Sequence, residues 1–253
     1  MSSAPVAAPV ELLQMDFEGM EAQDFDVPSM STLLNQLVKE SGVDPGQLAK
    51  VLVSQNYVGS VLKPCLEDDG DEEEEDQSVF AIASIINLSE RQEPVVKDMR
   101  DLLRKLVLNP GQKVEKDRAQ FEKVLSETLS PDVKLGLLIK ERILNMPVDL
   151  LLPSLQSLLS DVEAAVKKKM PYNFTHLVYW SKMYVDKGTA QHYDLEDAWF
   201  EENAISHFSY PLKHADTVKV DSDEAAPGAQ PIRRIYLFEF SKMTNFLDYL
   251  QTI

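Results

Sequence analysis

Nine carboxylates fill the ten positions from Glu67 to Asp76, within the stretch CLEDDGDEEEEDQ. The run stands between two apolar, β-branched stretches, VGSVLKP before it and SVFAIASIINL after it. Burying each of these charges would carry a large desolvation cost, so none of them can join the core. The chain is therefore constrained to place two strands of one core on either side of a solvated, self-repelling connection. Such a connection is tolerated, because loop-closure entropy grows slowly with length. We expect residues 66–77 to form a disordered acidic loop. Gln55–Lys63 and Val79–Leu88 are then neighbouring strands of one sheet. The second of these is apolar at nearly every position, as befits a strand covered on both faces.

The charge imbalance extends beyond the run. The chain of 253 residues carries 42 acids against 25 bases, a formal charge of −17. Without the nine carboxylates the balance is still 33 acids to 25 bases. An acidic body repels nucleic acid and anionic membranes and favours basic partners, so neither direct nucleic-acid binding nor membrane binding is expected. Cys65 is the one cysteine, which excludes an internal disulfide and a Cys-based zinc cluster. No stretch approaches the roughly 20 apolar residues of a membrane span. MSSAPVAAPVELL lacks the basic start and apolar centre of a signal peptide, so a cytosolic or nuclear location is expected.

The rest of the chain reads as strands at both ends with helices between them. Residues 1–11 are small and proline-rich and are expected to form a flexible tail ahead of a single domain over 12–253. LLQMDF suits a short strand. Met30, Leu33, Leu34, Leu37 and Val38 fall at helical spacing. Asp44 followed by Pro45 is a helix start, with Leu48, Val51 and Leu52 on the inner face. A helix from Pro94 carries Val96, Met99, Leu102, Leu103 and Leu106, and a second carries Val114, Phe121, Val124, Leu125 and Thr128. KLGLLIKERIL reads as a third, ended by Pro147, and Asp149–Lys169 as a fourth, with Leu151, Leu155, Leu158, Leu159, Val162 and Val166 inward. Strands follow at 174–185, 203–210 and 233–240, separated by polar loops around 186–196 and 213–231. Ser241 suits the cap of a last helix bearing Met243, Phe246, Leu247 and Leu250. One mixed sheet flanked by helices is the simplest assembly, a mixed α+β fold in a single domain.

Motifs for catalysis are missing. His176, His192, His207 and His214 form neither HxxxH nor HExxH, and His176 lies in a strand pattern that suits packing. There is no GxSxG elbow and no GxG pair among the nine glycines. Cys65 has no histidine near it in sequence and abuts nine carboxylates, surroundings unlike those of a nucleophilic cysteine. Gly70 sits centrally in the acid run, but strands rather than helices flank it, which argues against a calcium loop. Lys167, Lys168 and Lys169 suit the C-terminal end of a helix dipole. The leucines of LVLNPG and LLLPSLQSLLSDV have export-signal spacing but also form inner helix stripes. Composition and spacing thus lead to an acidic mixed α/β domain with no catalytic, cofactor or metal residues singled out.

Several segments together resemble the BCCIP family. They are MDFEGMEAQDFDVPSMSTLLNQL (15–37), QNYVGSVLK (55–63), the acid run, VFAIASIINLSER (79–91), GLLIKERILNMPVDLLLPSLQSL (136–158) and AWFEENAISHFSY (198–210). The family's longer basic stretch before the last segment is replaced by VDKGTAQHYDLED. The resemblance implies a fold like that of the Gcn5-related acetyltransferases, without acetyl-CoA binding and without enzymatic activity. The chain also lacks that fold's Q/R-x-x-G-x-G/A pyrophosphate loop. A fungal-type member would serve as chaperone for a basic ribosomal protein of the large subunit and as a nuclear export factor. It would shuttle between nucleus and cytoplasm, with a phosphoinositide kinase and nuclear transport factors as further partners. The animal branch implies instead a cell-cycle and DNA-repair adaptor, and a divergent acyltransferase is the enzymatic alternative. Glu67, Asp68, Asp69, Asp71, Glu72, Glu73, Glu74, Glu75 and Asp76 are the candidate partner-binding residues, with a solubilising insertion as the competing reading.

Overall fold

The computed structural model describes residues 16–55, 57–65, 78–109, 113–143, 146–213 and 229–253. The expected tail at 1–11, the acid run, and most of the polar stretch 213–231 lie outside the described residues. Strand β1 (Phe17–Met20) leads through a short 3-10 turn into helix α1 (Val27–Leu37). Helix α2 (Pro45–Ser54) starts where the sequence places it, with Asp44 Oδ1 accepting from the Gly46 and Gln47 amides at 2.8 and 3.1 Å. The cap satisfies two of the amides that a helix start leaves without partners. β2 (Ser60–Pro64) and β3 (Ala81–Asn87) pair antiparallel, so the strands on either side of the acid run are neighbours, as expected, but the first starts at Ser60 and not at Gln55, which closes α2.

Helix α3 (Pro94–Val107) and α4 (Arg118–Ser126) follow, separated by the three-residue strand β4 (Val114–Lys116). Val114 therefore belongs to a strand and not to the helical stripe expected of it. The larger correction is β5 (Leu135–Arg142), which the sequence reading made a helix. Every residue of β5 is buried, and it pairs antiparallel with β3 along the whole of that strand. Its continuous apolar run is compatible with either period, and pairing to β3 decides the matter. Helix α5 (Leu151–Lys167) packs on the sheet through Leu151, Leu155, Leu158, Val162 and Ala165. Val166, expected inward, is exposed, because the 3.6-residue stripe passes through Ala165 instead.

The C-terminal half holds β6 (His176–Asp186), β7 (Thr189–His192), α6 (Ala198–Asn203), β8 (Ser206–Pro211), β9 (Gln230–Glu239) and α7 (Met243–Leu250). The expected polar loop at 186–196 thus contains a strand. Ser241 caps no helix: its hydroxyl donates to Glu239 at 3.2 Å, within a 3-10 turn that precedes α7. Among the described residues the strands form one mixed sheet in the order β1-β2-β3-β5-β6-β9-β8-β4, with β7 joined to β6 off that path. Leu137, Ile139, Trp180 and Ile235 face a core shared with α1 to α4. Leu138, Tyr179, Tyr236 and Phe238 face the opposite core under α5, α6 and α7.

Candidate functional site

Among the described residues the only parallel junction in the sheet is β5 with β6, and it is short. Leu135 to Leu138 pair with His176 to Tyr179, and no pairing continues beyond them. β5 stays with β3 as far as Arg142, while β6 stays with β9 as far as Val185. The two strands therefore part toward their carboxyl ends. Ligands in open α/β sheets collect at such places. Here the chain fills the opening itself. β7 pairs with β6 from Met183 to Asp186, and the Tyr193 amide donates to the Lys182 carbonyl at 3.2 Å. The next residues, Asp194, Glu196 and Asp197, enter the opening.

Alternation along β5 sends Lys140 and Arg142 to one face and Glu141 to the other. Lys140 Nζ lies 2.6 Å from Glu196 Oε1 and 3.0 Å from Asp197 Oδ1. Arg142 binds Asp194 at 2.9 Å and both oxygens of Glu196. On the opposite face Lys182 Nζ lies 2.9 Å from Glu141 Oε2. Arg233, fully buried, donates to the Gln36 carbonyl at the end of α1 and so ties β9 to that helix.

Burial opposes charge throughout this cluster, and the partners decide each outcome. For Lys140 and Lys182 the facing carboxylates outweigh burial and hold the ammonium groups above their ordinary value. For Glu196 and Asp194 the neighbouring cations likewise prevail and hold the carboxyls low. For Glu141 burial prevails over Lys182 and pushes the carboxyl up. Its Oε1 is buried and receives no hydrogen bond among the described residues.

Asp194, Glu196 and Asp197 bring their oxygens within 4.8 Å of one another, a separation that suits a metal ion. Lys140, Arg142 and Lys182 already stand against them, so the positive charge such a cluster needs comes from the chain. Asp197 also accepts from Tyr179 at 2.8 Å and Ser181 at 2.6 Å. Ser181 Oγ lies 3.2 Å from His192 Nδ1, and His192 Nε2 lies 3.3 Å from Glu201. The spacing has the form of a nucleophile, a base and an orienting carboxylate. Its chemistry does not: Ser181 is fully buried and directs its proton to Asp197, away from the imidazole. Glu201 in turn receives Arg234 and, at 2.7 Å, Tyr236 OH. These donors overcome partial burial and bring its carboxyl down to about 2.

None of these residues was singled out from sequence. The nine carboxylates that were singled out lie outside the described residues, between Cys65 at the end of β2 and Ser78 ahead of β3. The geometry defines a mixed-sheet α/β protein whose one sheet opening is closed by its own hairpin and a buried ionic cluster. The BCCIP family model matches residues 12–229, and the chain belongs to that family. It is 29% identical to the protein from Drosophila melanogaster described as Protein BCCIP homolog, over 95% of this chain and 84% of that one. It is 28% identical to Protein bcp1 of Schizosaccharomyces pombe, over 85% of this chain and 81% of the fungal one. It is 27% identical to the human BRCA2 and CDKN1A-interacting protein, over 95% and 81%. The crystal structure of BCP1 from Saccharomyces cerevisiae shares the fold, with a TM-score of 0.63 at 18% identity, covering 95% of this chain and 89% of that one.

Proposed function

We propose that the chain is a non-enzymatic binding protein, a chaperone for a basic ribosomal protein of the large subunit that accompanies it through nuclear transport. The observation that carries this reading is the excess of acid. A protein of charge −17 with nine carboxylates between two adjacent strands attracts a basic client and competes with RNA for it. The filled opening between β5 and β6 supports a binding role over acyl transfer, since ion pairs and β7 take the space a ligand would need. Shuttling between nucleus and cytoplasm, with transport factors and a phosphoinositide kinase as further partners, belongs to the same reading. The names of the mammalian relatives, BRCA2 and CDKN1A-interacting protein, favour a second reading as an adaptor in cell-cycle control and DNA repair.

Affinity capture from growing cells at two salt concentrations separates the two. The chaperone reading expects one basic large-subunit protein, recovered at low salt and lost at high salt. Recovery of cell-cycle or repair proteins without it overturns that reading. Titration with acetyl-CoA tests the enzymatic alternative. A ligand at a hundredfold excess over its Kd stabilises the fold by about 2.7 kcal/mol, and no such rise in Tm is expected.

A further inference from the structure

The sheet has two path-end strands of opposite character. At one end β4 is three residues long and terminates at Lys116, whose φ of 58° turns the chain away. Lys116 also donates to the Glu201 and Ala204 carbonyls, at 2.6 and 3.1 Å, which fastens this end to α6. At the other end β1 is paired, among the described residues, on one side only, to β2, with Phe17 opposite Pro64 and Met20 opposite Val61. The Cys65 amide donates to the Asp16 carbonyl at 2.8 Å, so Asp16 and, by antiparallel alternation, Glu18 and Met20 turn their backbone groups toward β2. Pro64, which has no N–H, stands opposite Phe17, where no such bond is made. Phe17 and Gly19 therefore turn their N–H and C=O groups outward. Asp16, Glu18, Gly19, Met20 and Glu21 are all exposed.

The side chains along this edge select the visitor. Asp16, Glu18, Glu21 and Asp24 are exposed carboxylates, and no base occurs between residues 16 and 38. The base opposite, Lys63, is taken by buried Asp26 at 2.6 Å and lies over the Phe25 ring. Apolar side chains lie among the charges: Phe17 packs edge-on to Phe80, Met20 is exposed at the end of β1, and Phe25 is exposed in the 3-10 turn that follows. We propose that β1 is a docking edge for an extended basic segment of a partner protein, which adds to the sheet as a tenth strand. Backbone bonds to Phe17 and Gly19 supply register, and lysine or arginine side chains facing Glu18 and Glu21 supply selectivity. A second copy of this chain does not fit, since its own β1 would set carboxylates against carboxylates. The inference takes its class of partner, a basic protein, from the proposed function and adds how that partner docks.

The test uses the full chain and a labelled ten-residue peptide alternating lysine with valine. A second peptide carries N-methyl groups on alternate residues, which removes the pairing edge and keeps the charge. Binding of the plain peptide is expected, with an affinity loss of about tenfold or more on methylation. Equal affinity for the two peptides overturns the proposal, and this arm uses the unaltered protein. Gly19→Pro removes one outward N–H and leaves the bonds to β2 intact, as edge strands tolerate. It is expected to weaken the plain peptide to the same degree with Tm within about 2 °C. A Gly19→Pro protein that binds as before overturns the docking edge, as does a dimer of the unaltered chain that Gly19→Pro dissolves. Capture of the ribosomal protein by the Gly19→Pro chain at undiminished affinity refutes the edge alone. A peptide that docks on a chain capturing no ribosomal protein refutes the chaperone reading alone.

Discussion

Glu141 and Lys182 face each other at 2.9 Å across the place where β5 and β6 cease to pair. Both side chains are buried, and the second carboxylate oxygen has no donor among the described residues. The pair links the two strands where their direct backbone pairing has ended. Removing one partner leaves a buried charge without compensation. Lys182→Met should cost about 3–5 kcal/mol, and adding Glu141→Leu should recover most of it, since a buried pair is often matched by apolar residues of similar size. Urea denaturation of the two single variants and the double variant measures this. If the double variant is as unstable as Lys182→Met, the pair does more than neutralise itself.

Gly59 and Gly188 both have positive φ, 105° and 84°, yet they should respond differently to alanine. A Cβ at Gly188 meets nothing within 4 Å, so Gly188→Ala carries only backbone strain, about 1 kcal/mol. A Cβ at Gly59 would lie 2.4 Å from the Ala83 carbonyl oxygen and 2.6 Å from Ser84 Cβ. Gly59→Ala must push β2 away from β3 and should cost at least about 3 kcal/mol. Thermal unfolding of the two variants under one buffer ranks them, and equal melting temperatures would contradict the close approach at Gly59.

Much of this fold was legible. The Asp44 cap and the inner face of α1 follow from spacing that a helix satisfies, and β3 from a β-branched apolar run set off from its neighbours by the acid run. β5 was not, because LGLLIKER is short, stands between helices and has an apolar start that fits a buried helix as well as a buried strand. Its three charges are buried, and their partners lie far along the chain: Lys140 meets Glu196, and Lys182 meets Glu141. A sequence shows that acids and bases are present but not which pairs meet across a sheet. DLED read as a polar loop for the same reason, although Glu196 and Asp197 are among the most buried acids. The one local signal was Leu195, an apolar residue alone among acids; it is in fact the exposed one of the four, since its neighbours turn inward.

Glu201 sets an acid limit on stability. Its carboxyl sits at about 2 in the folded protein, below the ordinary 4.5, because His192, Tyr236 and Arg234 outweigh partial burial. A depressed folded value contributes stability that is present above the unfolded value and is lost as pH falls through the folded one. The window is therefore from about pH 4.5 down to about 2. Discounted for partial exposure, the contribution is about 1–2 kcal/mol. Glu201→Gln should lower stability at pH 7 by that amount and flatten its dependence across the window. Unfolding curves at pH 7, 4 and 3 measure both effects, and a variant that stays parallel to the parent at all three would show that Glu201 is not responsible.

Replacing all nine carboxylates of Glu67 to Asp76 with Ser, Gly and Asn at constant length should slow capture of the basic client more than it hastens release. The charge of the chain would fall from −17 to −8. Charges that attract through solvent act over a distance set by screening, about 8 Å at physiological ionic strength, and such attraction belongs to the approach of two proteins. Contacts made after docking, at β1 or elsewhere on the folded body, govern release. Association should therefore drop several-fold at low salt, and the drop should shrink as salt is raised, because salt already removes what the substitution removes. Surface-plasmon measurements of both rates at 50 and 300 mM salt, conditions chosen to span about a twofold change in screening length, separate the two effects. Unchanged association at low salt would leave the run as a solubilising insertion. A loss carried wholly by faster release would mean that the carboxylates make short-range contacts, and long-range attraction would no longer account for their place between β2 and β3.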